Sequence, residues 1–137
     1  MSYSSFYVRF YDIRQKISLS LGLIWRVFSN RVYLMVILSW QVIAWLQAIF
    51  IYRQLTGNIL ILHYNVDFGI DLVASPDQIF LYPLFGLIVS LINLTILAIL
   101  SRHRDFKILA HLLLSAAVFF EIFLSLALLA IYLINFR

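Results

Sequence analysis

Three long apolar stretches constrain the fold of this chain more than any other feature of its sequence. Residues 32–52 and 79–100 contain no charged side chain, and residues 108–135 contain only Glu121. A helix needs roughly 20 mostly apolar residues to cross the hydrocarbon of a bilayer. We therefore predict an all-α integral membrane fold with three transmembrane helices at about these positions. The third stretch is longer than this, so its helix must tilt or project from the hydrocarbon.

The overall composition agrees with this prediction. Hydrophobic residues make up 64% of the 137 residues and charged residues 12%, an apolar excess that one small soluble core could not bury. The net charge of +4 does not indicate a nucleic-acid partner, because the basic residues cluster beside the predicted spans. There is no nucleophile with a paired base, no glycine-rich phosphate loop and no cysteine, so we expect neither enzymatic activity nor a cofactor.

The distribution of basic residues predicts an orientation. Five Lys and Arg residues precede the first span and three lie in the turn 101–107, whereas only Arg53 and Arg137 lie elsewhere. The positive-inside rule then places the amino terminus and this turn in the cytoplasm, and the loop 53–78 and the carboxyl terminus outside. We predict a multi-pass protein of the cell membrane, with residues 31–137 forming its membrane domain.

The first thirty residues differ from the rest of the chain. Apolar side chains recur there every three or four positions with basic residues between them, a pattern typical of an amphipathic helix. We predict that residues 1–30 lie in the cytoplasmic interface and bind anionic headgroups. Ser29 and Asn30 are then expected to cap the first span.

Glu121 is the most conspicuous residue of the spans. An ionised carboxylate near the middle of a bilayer costs at least about 2.5 kcal/mol. Ala117 and Ser125 flank Glu121 on the same helical face, and Gln47 lies at a similar predicted depth, so we predict that Gln47 is its partner. Two interpretations are open. Glu121 is either a proton-binding or ion-path group, or a neutral acid hydrogen-bonded across a helix interface.

The other intramembrane polar residues are Gln41, Asn93 and His111, and we expect Asn93 to lie nearer in depth to Gln41 and His111 than to Glu121. All three spans also carry small residues on one face, a feature of close helix contacts. We therefore expect packing with a partner membrane protein or with a second copy of the chain, with the external loop serving recognition. A transporter or ion-path subunit using Glu121 is the alternative.

The loop 53–78 contains two β-prone runs, residues 59–64 and 70–73, that predict a short hairpin. Between and within them, an imidazole, an amide and two carboxylates could bind a divalent cation. Their spacing matches no established metal motif, and a polar turn explains the same residues. External sensing of a metal or ligand is therefore a third hypothesis. The four residues are His63, Asn65, Asp67 and Asp71.

The loop and the second span carry a resemblance through nine residues: His63, Tyr64, Asn65, Phe68, Gly69, Asp71, Pro83, Gly86 and Asn93. This pattern resembles uncharacterised small membrane proteins of bacteria, particularly candidate-phyla lineages, with a His-Tyr-Asn…Phe-Gly-x-Asp external loop. His63, Asn65 and Asp71 are more distantly similar to a domain of unknown function found in Sdp-type immunity membrane proteins. The resemblance implies no catalytic activity, and it implies that an external loop between two spans is the recurring unit.

Overall fold

A computed structural model describes residues 11, 15, 18–55, 57, 59–65, 67 and 69–136, except for the side chains of residues 64, 65 and 71. It contains three long helices, and one small hairpin lies between the first and the second. Two short 3-10 helices, Pro76–Phe80 and Leu100–Arg102, extend the second long helix at both ends. In chain order, the main elements are α1 (Phe28–Gln54), β1 (Leu60–Asn65), β2 (Gly69–Ala74), α2 (Leu81–Ile99) and α3 (Phe106–Phe136).

The three predicted spans are confirmed. Phe28–Gln54, Pro76–Arg102 and Phe106–Phe136 are each long and apolar enough to cross a bilayer. The protein is therefore an all-α membrane protein with a small hairpin in one connection. Helix α3 has 31 residues, which corresponds to about 46 Å at the rise of an α-helix. This length exceeds the hydrocarbon thickness of about 30 Å, so α3 must tilt or extend beyond it.

The contacts between helices define how they run. Tyr33 meets His111 edge-on, with ring centroids 5.6 Å apart, and Gln47 is hydrogen-bonded to Ser125. Both contacts join a residue of α1 to the residue 78 positions later in α3, so these two helices run parallel. Helix α2, which connects them in the chain, runs antiparallel to both. We call the end of the bundle at residues 100–106 the turn end, and the opposite end the hairpin end.

The small residues that suggested close helix contacts are used within the chain. Ala44 and Ala48 of α1 and Ala117 of α3 are buried, and so is Gly86 of α2. Their lack of bulk lets the three helices approach one another closely. The predicted small-residue faces are thus occupied by intramolecular packing.

The surface of the bundle is apolar and its polar side chains bond to their own helices. Ser39 donates a hydrogen bond to the carbonyl of Met35 at 2.9 Å, and Thr95 donates to that of Leu91 at 2.8 Å. Such bonds within a helix satisfy a hydroxyl that faces lipid. These exposed polar groups therefore require no partner helix.

The segment before α1 packs against the turn end. Residues 18–26 are helical up to a bend at Val27, and Ile24 is buried against the bundle. Asn30 donates to the carbonyl of Ile24 at 3.2 Å, and Ser101 bonds to Ser20 at 3.0 Å. The predicted cap is wrong, because α1 already begins at Phe28 and Asn30 holds the preceding segment instead. Most of the predicted interfacial helix, in residues 1–17, lies outside the described residues.

The predicted hairpin is confirmed. Strands β1 and β2 pair antiparallel from Leu60 opposite Ala74 to Asn65 opposite Gly69. Gly69 has a φ of 78°, a conformation that glycine adopts readily where the chain turns. Asn135, near the end of α3, accepts a hydrogen bond from the amide of Ile61 at 3.0 Å and donates to its carbonyl at 2.8 Å. One side chain of α3 therefore pairs with β1 as a neighbouring strand would.

Replacing Asn135 with alanine should release this end of the hairpin. The substitution removes both hydrogen bonds to Ile61, and each is worth about 0.5–1.5 kcal/mol. We expect amide hydrogen exchange of Ile61 to accelerate about tenfold or more. Asn93→Ala is the control, since among the described residues the Asn93 side chain donates to the carbonyl of Val89 in its own helix. Equal exchange of Ile61 in both variants would contradict the role of Asn135.

Candidate functional site

Glu121 lies on the inward face of α3 and is fully buried. The buried residues of α3 recur every three or four positions, so position 121 falls on the stripe that packs against the other helices. Ser90 of α2 donates a hydrogen bond to Glu121 Oε1 at 2.9 Å. No basic side chain of the described residues forms an ion pair with Glu121. The carboxyl group is therefore held by a neutral hydroxyl in the interior of the bundle.

Gly86 provides the space that the carboxyl group occupies. A Cβ atom built on Gly86 would lie 3.0 Å from Glu121 Oε2 and 3.1 Å from Glu121 Oε1. Distances this short are tighter than ordinary van der Waals contact, so any larger residue would press on the carboxyl group. Gly86 and Ser90, one turn apart on α2, thus form the cradle of Glu121.

Gln41 of α1 completes the cluster. Its Nε2 donates to the carbonyl of Pro83, which fixes the orientation of the amide, and its Oε1 lies 3.1 Å from the same Cβ position on Gly86. The oxygens of Gln41 and Glu121 therefore converge on one point of α2. We call Gln41, Gly86, Ser90 and Glu121 the Glu121 cluster.

Two oxygens of the Glu121 cluster are buried without a hydrogen bond from the described residues. They are Oε2 of Glu121 and Oε1 of Gln41. A buried acceptor left unpaired costs about 1–3 kcal/mol, and more when it is charged. Two such acceptors in one cluster are a cost that a donor at either of them would reduce.

The structure gives Gln47 a different partner from the one predicted. Ser125 donates to Gln47 Oε1 at 2.8 Å, and Gln47 Nε2 faces the carbonyl of Ser125 at 3.5 Å. Ser125 is one turn beyond Glu121 on α3. The Gln47–Glu121 pairing is therefore wrong by one helical turn, and Glu121 is bonded to Ser90 instead.

Asn93 and His111 lie nearer the turn end. Asn93 donates to the carbonyl of Val89 in its own helix at 3.1 Å, and His111 packs its ring against Tyr33. Neither is hydrogen-bonded to Glu121 or Gln41 among the contacts that the structure describes. Asn93 does share a cavity wall with Gln41.

A cavity of about 310 Å³ lies between α1 and α2 on the turn-end side of the Glu121 cluster. Its wall is mostly apolar, and its polar side chains are Gln41, Ser90 and Asn93. Trp25 borders it from the segment before α1, and Ala117 borders it from α3. We call it the α1–α2 cavity. Two members of the Glu121 cluster, Gln41 and Ser90, line this cavity.

Buried apolar residues pack on the hairpin-end side of the cluster. Ala44 and Ala48 of α1 pack there with Leu124 and Leu128 of α3, and all four are buried. Leu60 of the hairpin joins the same apolar core. The α1–α2 cavity thus reaches Gln41 and Ser90 from the direction of the turn end, while Glu121 behind them is fully buried.

The loop residues predicted as cation ligands lie on the hairpin. His63 is exposed on β1 and Asp67 is exposed in the turn. Asn65 is the last residue of β1, and Asp71 lies within β2. Irregularities in the pairing on both sides of His63 disturb the simple alternation of side chains. Among the side chains that the structure describes, no three His, Asp or Glu residues are grouped to hold a metal ion.

Sequence reasoning found Glu121 and Gln41 but missed the cradle around them. The sequence predicts only that the second span carries small residues on one face, and Gly86 and Ser90 belong to that face. Their spacing of four, at the level of the only charged residue of the spans, is the signal that could have identified them. The sequence contains no comparable pattern that would identify Asn135 as the residue that holds the hairpin.

Comparisons with family models, curated proteins and solved structures give no match to this chain. The resemblance of its loop to small bacterial membrane proteins stays a prediction.

Proposed function

We propose that this protein binds a proton at Glu121 and serves as a transport or ion-path subunit of a bacterial inner membrane. The observation that supports this proposal is the environment of Glu121, which is fully buried with a neutral donor as its only described hydrogen-bond partner. Ionisable residues inside a membrane are costly and rare, so such a residue is by default a functional-site hypothesis.

Protonation suits the buried, unpaired Oε2 of Glu121. A protonated carboxyl group has an O–H donor in addition to its acceptors. With the proton on Oε2, this oxygen becomes a donor and the carboxyl group loses its charge, while Ser90 continues to donate to Oε1. The neutral form therefore fits the interior of the bundle better than the ionised form, whose charge no described side chain compensates.

The predicted orientation gives the proton a direction. The positive-inside rule assigns the turn end, with Arg102, Arg104 and Lys107, to the cytoplasm. The α1–α2 cavity lies on that side of the cluster and reaches Gln41 and Ser90, whereas an apolar core packs on the other side. We infer that Glu121 exchanges its proton with the cytoplasmic side in this conformation, and that release outside requires a second one.

Association with a partner helix or a second copy stays a prediction. The prediction rests on the small-residue faces of the spans, and in the structure these faces pack against one another within the chain. The external hairpin keeps the recognition role as a separate proposal. Three helices enclose little room, so an ion-path function would still need assembly of several subunits.

Infrared spectroscopy of the protein in lipid bilayers tests the proton-binding proposal. We expect a carbonyl band of a protonated carboxylic acid at neutral pH that disappears in Glu121→Gln, because Glu121 is the only buried carboxyl group of the described residues. Ser125→Ala is the matched control, one turn away on the same helix, and should keep the band. A wild-type spectrum in which Glu121→Gln removes only carboxylate absorption would contradict the proposal.

Proton flux into liposomes containing the protein tests the transport part. Flux driven by a membrane potential should fall to the background of empty liposomes in Glu121→Gln and persist in Ser125→Ala. Flux that is equal in Glu121→Gln and wild type would remove Glu121 from the path.

A further inference from the structure

We propose that the α1–α2 cavity holds an acyl chain of an anionic phospholipid, whose phosphate group binds to Arg31 at the mouth of the cavity. Residues of α1, α2 and the segment before α1 build this site. It lies on the turn-end side of the Glu121 cluster, and the inference does not depend on proton binding.

The interior of the cavity favours a hydrocarbon. Its wall is almost wholly apolar, and its three polar side chains are Gln41, Ser90 and Asn93. Each of them donates a hydrogen bond to another group of the protein. The unpaired Oε1 of Gln41 is buried and out of reach of a ligand. The part of a ligand that lies inside the cavity is therefore apolar.

The cavity is open to the bilayer and extends along the bundle. Its wall includes residues between 34 and 41 of α1 and between 87 and 94 of α2, a length of about 10 Å along each helix. Met35, Leu38 and Leu91 line the cavity and are also exposed on the outside of the bundle. An acyl chain can therefore enter sideways without leaving the bilayer. The volume of about 310 Å³ is small for a ligand site, so the cavity takes part of one chain.

A cationic and an aromatic side chain mark the mouth of the cavity at the turn end. Arg31 lies one turn before Leu34 and Met35 on the same face of α1, and both of these line the cavity. The guanidinium carbon of Arg31 lies 5.5 Å from the centre of the exposed Phe28 ring. Trp25 lines the cavity and is half exposed. Tryptophan is enriched at the level of lipid headgroups, so the mouth lies where a phosphate would be.

Charge complementarity at this mouth favours an anionic headgroup. Arg31 is partly exposed and forms no ion pair among the described residues, and its Nε has no hydrogen-bond partner. Arg26 is exposed nearby in the chain, whereas Asp105, the one acidic side chain described at the turn end, lies 3.9 Å from His103. A guanidinium group suits the geometry of a phosphate.

Only an anionic phospholipid meets both conditions of the site. A free phosphate would compensate the charge of Arg31, but it has no apolar part for the cavity. A neutral lipid would place a chain in the cavity, but it would bring no net charge to Arg31.

Native mass spectrometry of the full chain, released from vesicles of equal parts phosphatidylglycerol and phosphatidylcholine, tests the headgroup. We expect one retained phosphatidylglycerol per chain, about fivefold more often than phosphatidylcholine, because a basic residue near an anionic lipid contributes about that factor. Arg31→Ala should remove this preference. Arg104→Ala is the matched control, since Arg104 is exposed in the turn 101–107 and does not adjoin the cavity, and it should change the preference less than about twofold.

Filling the cavity tests the position of the acyl chain. Met35→Trp puts a larger side chain at the opening, and Val42→Trp puts the same side chain on exposed surface of α1 outside the cavity. Both positions are exposed, so neither substitution disturbs the packed core. Retention of phosphatidylglycerol should be lost in Met35→Trp and kept in Val42→Trp.

A measurement in bilayers accompanies the mass spectrometry. Phosphatidylglycerol with brominated acyl chains should quench the fluorescence of Trp25 more strongly than phosphatidylcholine with the same chains. The excess quenching should be absent in Trp25→Phe and in Arg31→Ala.

Four results would overturn the proposal. Equal retention and equal quenching by the two lipids would show that the mouth does not recognise charge. Equal loss of preference in Arg31→Ala and Arg104→Ala would assign the preference to the basic surface as a whole. Unchanged retention in Met35→Trp would place the acyl chain outside the cavity. Release of the retained lipid by millimolar inorganic phosphate would identify a site for free phosphate instead.

Discussion

Gly86→Ala should lower the free energy of unfolding of the bundle by about 1–3 kcal/mol, the usual cost of overpacking a core. The added methyl group would lie 3.0 Å from Glu121 Oε2 and 3.1 Å from Gln41 Oε1. To make room, the carboxyl group must move away from α2, which weakens its hydrogen bond with Ser90. The measurement is unfolding by dodecyl sulfate titration in bicelles.

Gly22→Ala is the matched control for this substitution. A Cβ atom on Gly22, in the helical segment 18–26, meets nothing within 4 Å. Alanine in a helix is favoured over glycine by roughly 0.5–1 kcal/mol, so this variant should be as stable as the wild type or slightly more stable. If both variants unfold at the same dodecyl sulfate concentration, Gly86 does not provide the space that we assign to it.

Leu60→Ala should lower the free energy of unfolding by about 2–5 kcal/mol, the range for a leucine removed from a packed core. Leu60 is fully buried and is the hairpin residue that joins the core of the hairpin end, beside Ile51, Ile79 and Leu128. The substitution leaves a cavity at the boundary between the hairpin and all three helices. The same dodecyl sulfate titration measures the loss.

Leu72→Ala tests whether the loss of stability in Leu60→Ala is caused by the burial of that side chain. Leu72 lies in the paired strand of the same hairpin but is 52% exposed. Its loss should cost less than about 1 kcal/mol, because an exposed side chain leaves no cavity. Equal destabilisation by the two substitutions would mean that the hairpin contributes only its own pairing, without its anchor in the bundle.

The spans could be predicted because length and hydropathy alone determine whether a helix can cross a bilayer. The hairpin could be predicted because β-prone runs flank a polar turn with a glycine. Helix ends were less certain. Helix α1 begins at Phe28 and α3 at Phe106, four and two residues before the predicted starts at 32 and 108.

This uncertainty explains the wrong partner of Gln47. Counted from the observed starts, Gln47 and Ser125 each lie nineteen positions into their helices, whereas Glu121 lies fifteen positions into α3. An error of two to four residues at a helix end equals up to one turn in depth, or about 6 Å. Depth estimates from sequence therefore identify the level of a polar residue but not its partner. The contact with Ser90 also depends on where α2 lies, and counting residues along α1 and α3 gives no information about α2.

The constant separation of 78 residues between α1 and α3 has a mechanical consequence. Tyr33 and Gln47 meet His111 and Ser125 at two levels fourteen residues apart, so the two helices keep one register over nearly four turns. They should behave as a stiff pair during any conformational change. Helix α2 contributes Gly86 and Ser90 but is joined to the chain by a 3-10 segment at each end. In the proposed function, the residues around the proton are shared between this pair and α2, and rocking of α2 against the pair is the motion that would expose Glu121 to the opposite side of the membrane.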